Sequence, residues 1–124
     1  MNTITMFALS GNLTLLDYQI SHSQLLLRSE DGLYNIDVIF TGVAYMDLKV
    51  SLANVVIRSS NFDERAALVK KVILPNGFNC YTIEWEKGKN YVIAGRVEVY
   101  KNQLDFNASS LIMDMDKQDW EFPK

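Results

Sequence analysis

Residues 23–40 read SQLLLRSEDGLYNIDVIF, and the fold turns on how that stretch is read. Asp31-Gly32 stands between two apolar-rich runs, the strongest short-range signal for a β-hairpin. On the return side Ile36, Val38 and Phe40 recur at every second residue. That is the period of a strand with one face turned to a core, whereas an amphipathic helix needs spacings of three and four.

Alternation continues outward from the hairpin. Toward the amino terminus, TITMFAL predicts a strand, SGN at 10–12 a turn, and LTLLDYQI a second strand. On the other side Gly42 interrupts the pattern before VAYMDLKVSL and NVVIRSS resume it, so a bend or bulge is expected there. Residues 78–106, FNCYTIEWEKGKNYVIAGRVEVYKNQLDF, read as a three-strand antiparallel meander. Tyr81, Ile83 and Trp85 alternate on its first strand; Tyr91, Ile93, Val97 and Val99 follow the KGKN turn; QLDFNAS is the last strand after KN. Ile83, Trp85, Ile93 and Val97 are expected in the core, with a partner for the Trp85 indole N–H or a place for it at the core margin.

One segment departs from period two. In SSNFDERAALVKKVIL, Asn61 precedes Glu64 by three residues, a capping-box spacing. Phe62, Ala66, Val69 and Ile73 share one helical face. A short helix over roughly 62–72 is predicted, with Lys70 and Lys71 in its last turn, where positive charge suits the dipole; a β reading of ALVKKVIL stays open. The fold class that follows is mainly β: an antiparallel β-sandwich or partial barrel with one short α-helix.

The chain has 124 residues, 48% of them hydrophobic and 22% charged, which suits a single β-rich domain over 1–124. A lone cysteine, Cys80, forms no internal disulfide and points to a reducing compartment. With no basic amino-terminal leader and no apolar run of roughly 20 residues, a cytoplasmic protein is expected. Net charge is −3. Residues 113–124 hold four acids and two bases, so −2 of that total lies in an acidic C-terminal segment. This disfavours nucleic-acid binding and fits a basic protein partner.

Asp114, Asp116 and Asp119 stand at D-x-D-x-x-D spacing beside Trp120 and Glu121. A calcium loop needs a glycine for its sharp turn, and DMDKQDWEF has none. One histidine, His22, and one cysteine build no zinc site, and no phosphate loop or nucleophile elbow occurs. We therefore expect no catalytic residues, no metal and no cofactor. Asp114, Asp116, Asp119, Trp120 and Glu121 are the candidate partner-binding residues: carboxylates around an aromatic anchor.

The runs HSQLLLR, YNIDVIFTGVAYMDL, YTIEW, YVIAG and VEVY, within residues 22–107, resemble small bacterial immunity proteins, the cytoplasmic antidotes of polymorphic and contact-dependent growth-inhibition toxins. The resemblance lies in overall texture and carries over no residue roles. It implies a non-enzymatic inhibitor that binds a toxin domain, commonly a nuclease, and occludes its active site. A small-ligand-binding β-barrel and an assembly module pairing through strand edges are the alternatives.

Overall fold

The computed structural model describes residues 6–111. Its strands are β1 (Met6–Gln19), β2 (Gln24–Asp31), β3 (Tyr34–Thr41), β4 (Tyr45–Asp47), β5 (Ser51–Ser59), β6 (Asn79–Trp85), β7 (Gly88–Ala94) and β8 (Arg96–Asn102), with helix α1 (Phe62–Val69) between β5 and β6. They form one antiparallel sheet of eight strands in the order β4-β7-β6-β5-β1-β2-β3-β8. The fold is mainly β with one helix, as the alternation predicts.

The hairpin at Asp31-Gly32 is present: Asp31 pairs with Tyr34, and Gly32 takes φ 66° in the turn. From there the register runs without a slip to Gln24 opposite Thr41. A two-residue turn fixes register, and register fixes which side chains face in. Leu25 and Leu27 on β2 thus share the inner face with Phe40 and Val38 on β3, and β8 adds Val97 and Val99 opposite the same two residues.

The sheet bends into two walls around this interior. The first half of β1 pairs with β5 and its second half with β2, so β1 belongs to both walls. Two bulges, at Leu9/Asn12 and Leu15/Asp17, provide the bend. The expected turn at residues 10–12 is therefore a bulge inside one long strand. Gly11 takes φ 83°, and its N–H donates to Asn54 Oδ1 at 2.9 Å.

A second corner forms where the chain passes Gly42 and Gly95. Gly42, at φ 71°, separates β3 from β4. Gly95 separates β7 from β8, and its N–H donates to Thr41 O at 2.9 Å. This corrects the predicted meander. The return strand splits at Gly95: β7 pairs with β6 and β4, whereas β8 crosses to pair with β3 on the other wall. Facing parity changes at the break, since Val92 and Ala94 point inward before it and Val97 and Val99 after it. Ile93 and Tyr91 consequently pack on the outer face under α1. QLDFNAS is not a strand; residues 103–111 cross the outer face of β2, β3 and β8 as an irregular strap. β4 and β8 end the sheet without pairing to each other, so it remains a partial barrel.

Large side chains from both walls fill the interior. Leu13, Leu25, Leu27, Phe40, Ile57 and Ile83 are at most 1% exposed, each contributing about 1.5–3 kcal/mol by burial. Phe40 and Tyr81 meet across it with ring centroids 5.5 Å apart. Trp85 lies at the core margin and donates its indole N–H to Asn90 Oδ1 at 2.8 Å.

Candidate protein-docking surface

Two constructions stand on the outside of the barrel, one on each wall. The first begins with Arg28 and Asp37, which the hairpin register places opposite each other on the outer face. Both side chains are fully buried. Arg28 Nε and Nη2 donate to the two oxygens of Asp37 at 2.6 and 2.9 Å. Its Nη1 donates to three strap carbonyls: Asp105 at 3.1 Å, Phe106 at 2.7 Å and Ala108 at 2.8 Å. Asp37 Oδ2 also accepts from Asn102 Nδ2 and Ser110 Oγ, both at 2.7 Å. Asn35 Nδ2 adds a bond to Leu104 O at 2.7 Å. The hydroxyl of Ser109 and, next, the amide of Gln19 hold the Asp17 carboxyl below its ordinary range.

A buried charge is expensive unless it is paired and its remaining hydrogen-bonding capacity is met. The strap meets it here, and among the described residues no buried side-chain nitrogen or oxygen is left without a partner. Leu111 packs with Leu16 against Leu26, Ile39 and Tyr100. This latch therefore fixes the chain as far as residue 111, two residues before the acidic segment.

The second construction is α1. Asn61 Oδ1 accepts from the Glu64 N–H and Glu64 Oε1 from the Asn61 N–H, both at 2.9 Å, so the predicted capping box is present. The helix ends at Val69, and Lys70 is its cap rather than part of its last turn. Leu68 is buried against Cys80 and Ile93, with Val72 beside it. Glu64, on the same face, is gripped by both Arg58 Nη atoms at 2.7 Å, by Lys89 Nζ at 2.9 Å and by Thr82 Oγ1 at 3.0 Å. Arg58, as the largest influence, holds the Glu64 carboxyl far below the usual range. Arg58 also reaches Glu84 at 3.2 Å. The cluster satisfies itself, and what it does is clamp the helix to the sheet.

Of the stripe that marked this helix in the sequence, Phe62 and Val69 lie at the two ends of α1, Ala66 is half-buried, and Ile73 lies four residues beyond the helix. Phe62 is 82% exposed, Ile73 89% and Val69 42%. An apolar helical face is expected to seek a core; here the positions 64, 68 and 72 take that role, and 62, 69 and 73 are left outside. Arg65, Lys70 and Lys71 are exposed beside the stripe.

Asp114, Asp116, Asp119, Trp120 and Glu121 lie outside the described residues. His22 is exposed in a 3-10 turn over Ile20–His22, its Nδ1 3.1 Å from Ser21 Oγ. Cys80 is buried and unpaired in any disulfide. Burial pushes its thiol up despite Arg65 nearby, the wrong direction for a nucleophile. Among the described residues no three His, Cys, Asp or Glu side chains gather as metal ligands would, and no helix is long and apolar enough to cross a membrane.

Arg28 and Asp37 were not singled out by the sequence reading, although a signal existed. Counting back from the two-residue turn puts position 28 opposite 37, an arginine facing an aspartate with Leu26 and Ile39 as neighbours on that face. Nothing local reveals that a strap from residues 103–111 would cover them. Compared with family models, with curated proteins and with solved structures, the chain finds no match in any of the three.

Proposed function

We propose that this protein is a stoichiometric inhibitor that neutralises a basic toxin domain, of the nuclease kind, by binding it through the acidic segment at residues 113–124. The observation that carries the reading is charge placement. Two of the three net negative charges fall in those twelve residues, around Trp120, and the segment starts from a strap that Arg28 and Asp37 hold to the barrel up to Leu111. A nuclease that grips phosphate carries a positive cleft, and an acidic partner is steered to it. A fixed starting point lowers the entropy lost on docking. Asp114, Asp116, Asp119 and Glu121 would govern encounter, and Trp120 would hold the complex. The packed interior supports this reading over a ligand-binding calyx, because Phe40, Tyr81 and the leucines occupy the space a ligand would need.

The test is co-purification of the full chain with the product of the adjacent upstream gene, followed by binding at two salt concentrations. Trp120→Ala should weaken the complex about 30-fold or more if it is a hot spot. Neutralising the four carboxylates should slow association and flatten its salt dependence. Unchanged affinity and salt dependence in folded variants removes the segment from the interface.

A further inference from the structure

We infer that Asn76-Gly77 is a self-modification site, where the chain converts its own asparagine through a cyclic imide to aspartate and isoaspartate without an enzyme. The dipeptide occurs once in the sequence. It lies in the turn between α1 and β6, with both residues exposed and neither in a helix or strand. The reaction asks for a side-chain amide without partners, an unhindered nitrogen on the next residue, and a backbone able to turn. Of the nine asparagines among the described residues, six hold a hydrogen bond through the side chain: Asn35, Asn54, Asn61, Asn79, Asn90 and Asn102. Asn12, Asn76 and Asn107 hold none among the described residues. Asn12 is followed by the buried Leu13 and Asn107 by Ala108, each with a Cβ beside the attacking nitrogen. Asn76 alone joins a free amide to a glycine, and no heavy atom stands within 4 Å of where a Cβ on Gly77 would sit.

The step balances with water as the only co-reactant. The Gly77 backbone nitrogen gives up its proton and attacks Asn76 Cγ; the N–Cγ bond forms, the Cγ–Nδ2 bond breaks, and Nδ2 leaves as ammonia. Water then opens the imide at either carbonyl. Cleavage of the new N–Cγ bond gives aspartate with the main chain intact, and cleavage at the main-chain carbonyl gives isoaspartate. Ring closure requires the Asn76–Gly77 peptide to rotate, and little resists it. Gly77 sits at φ 82°, and a glycine passes through conformations closed to other residues. A single backbone bond, from Phe78 N–H to Pro75 O at 3.2 Å, spans the turn. Either product adds one negative charge to a chain whose total is −3. Isoaspartate also puts a methylene carbon into the main chain between Leu74 and Phe78, which pack with Leu68, Cys80 and Ile93 where α1 meets the sheet. That product loosens the packing under the helix, whereas aspartate changes the charge alone. The conversion is followed on the purified chain without a partner, so it stands or falls apart from the toxin reading.

Incubation of the full chain at mildly alkaline pH, with peptide mapping by mass spectrometry at intervals, tests it. The peptide that holds residue 76 should gain the mass difference between amide and acid before any other asparagine does. It should appear as two products that separate by chromatography, with an equal amount of ammonia released. Gly77→Ala should slow the conversion about tenfold or more, because its Cβ crowds the attacking nitrogen. Asn76→Gln should abolish it, since the longer side chain closes a larger ring. Circular dichroism confirms that each variant is folded. The isolated isoaspartate form should melt below both the parent and Asn76→Asp, which carries the charge without the extra carbon. An Asn76 that stays intact in the folded chain overturns the inference. So does conversion of Asn12 or Asn107 at the same rate, or a rate at Asn76 that Gly77→Ala leaves unchanged.

Discussion

Replacing Arg28 with methionine tests the latch. The substitution keeps length and apolar bulk, removes both charge-assisted bonds to Asp37, and takes the donor from the carbonyls of Asp105, Phe106 and Ala108. Asp37 keeps Asn102 and Ser110 but becomes a buried carboxylate with no counter-charge. Removing one member of a buried pair costs about 3–5 kcal/mol, a large share of the roughly 5–15 kcal/mol that holds a typical domain together. The double variant Arg28→Met/Asp37→Leu should be less destabilised than the single one, because no uncompensated charge remains; the residual loss is the acceptor for Asn102 and Ser110, about 1–3 kcal/mol each at most, together with the donor to the three strap carbonyls that both variants lack. Urea unfolding supplies the free energies, and hydrogen exchange over residues 103–111 reports the strap. A single variant that loses under about 1 kcal/mol, or one whose strap exchanges as slowly as the parent's, would refute the assignment of Arg28 as the strap's anchor.

Two further expectations rest on geometry. Glu64 is held below the ordinary carboxylate range mainly by Arg58. A carboxylate depressed in the folded state stabilises above its unfolded pKa, and that contribution drains away as pH falls toward the folded value. The stability gap between the parent chain and Glu64→Gln should therefore be widest near neutrality and shrink below about pH 4, measured by urea unfolding at the two pH values; a constant gap would argue against the charged clamp. At the corner, Gly42 takes φ 71°, so Gly42→Ala should cost about 1–2 kcal/mol, read by thermal melting, and a neutral result would mean that the corner relaxes freely.

Local signals carried much of the fold. Asp31-Gly32 announced a hairpin and its register, and Asn61 with Glu64 announced a helix start, because each depends on residues within one turn of chain. What stayed hidden was non-local. Ile93 and Val97 obey alternation equally well whether Gly95 lies inside one strand or divides two, and only the pairing of β8 with β3 decides it. The same limit explains the strap: Leu104 and Phe106 alternate as a strand would, yet Arg28 draws their stretch of backbone into a different path through its carbonyls. For α1 the pattern located the helix and misjudged its buried face. Glu64, a charged residue, sits inward because Arg58, Lys89 and Thr82 meet it there, an arrangement that hydropathy does not register.

The latch also sets an order of events during synthesis. Arg28 and Asp37 come together within a hairpin nine residues apart, but their remaining partners are supplied 65 to 80 residues later in the chain. Until Ser110 has left the ribosome the pair stays in water, where its charges are tolerated, and the outer face of β2 and β3 lies open. A chain that stops short of the strap would keep a solvated ion pair in place of a sealed one, and would leave Leu26, Ile39 and Tyr100 without the cover that Leu111 gives them.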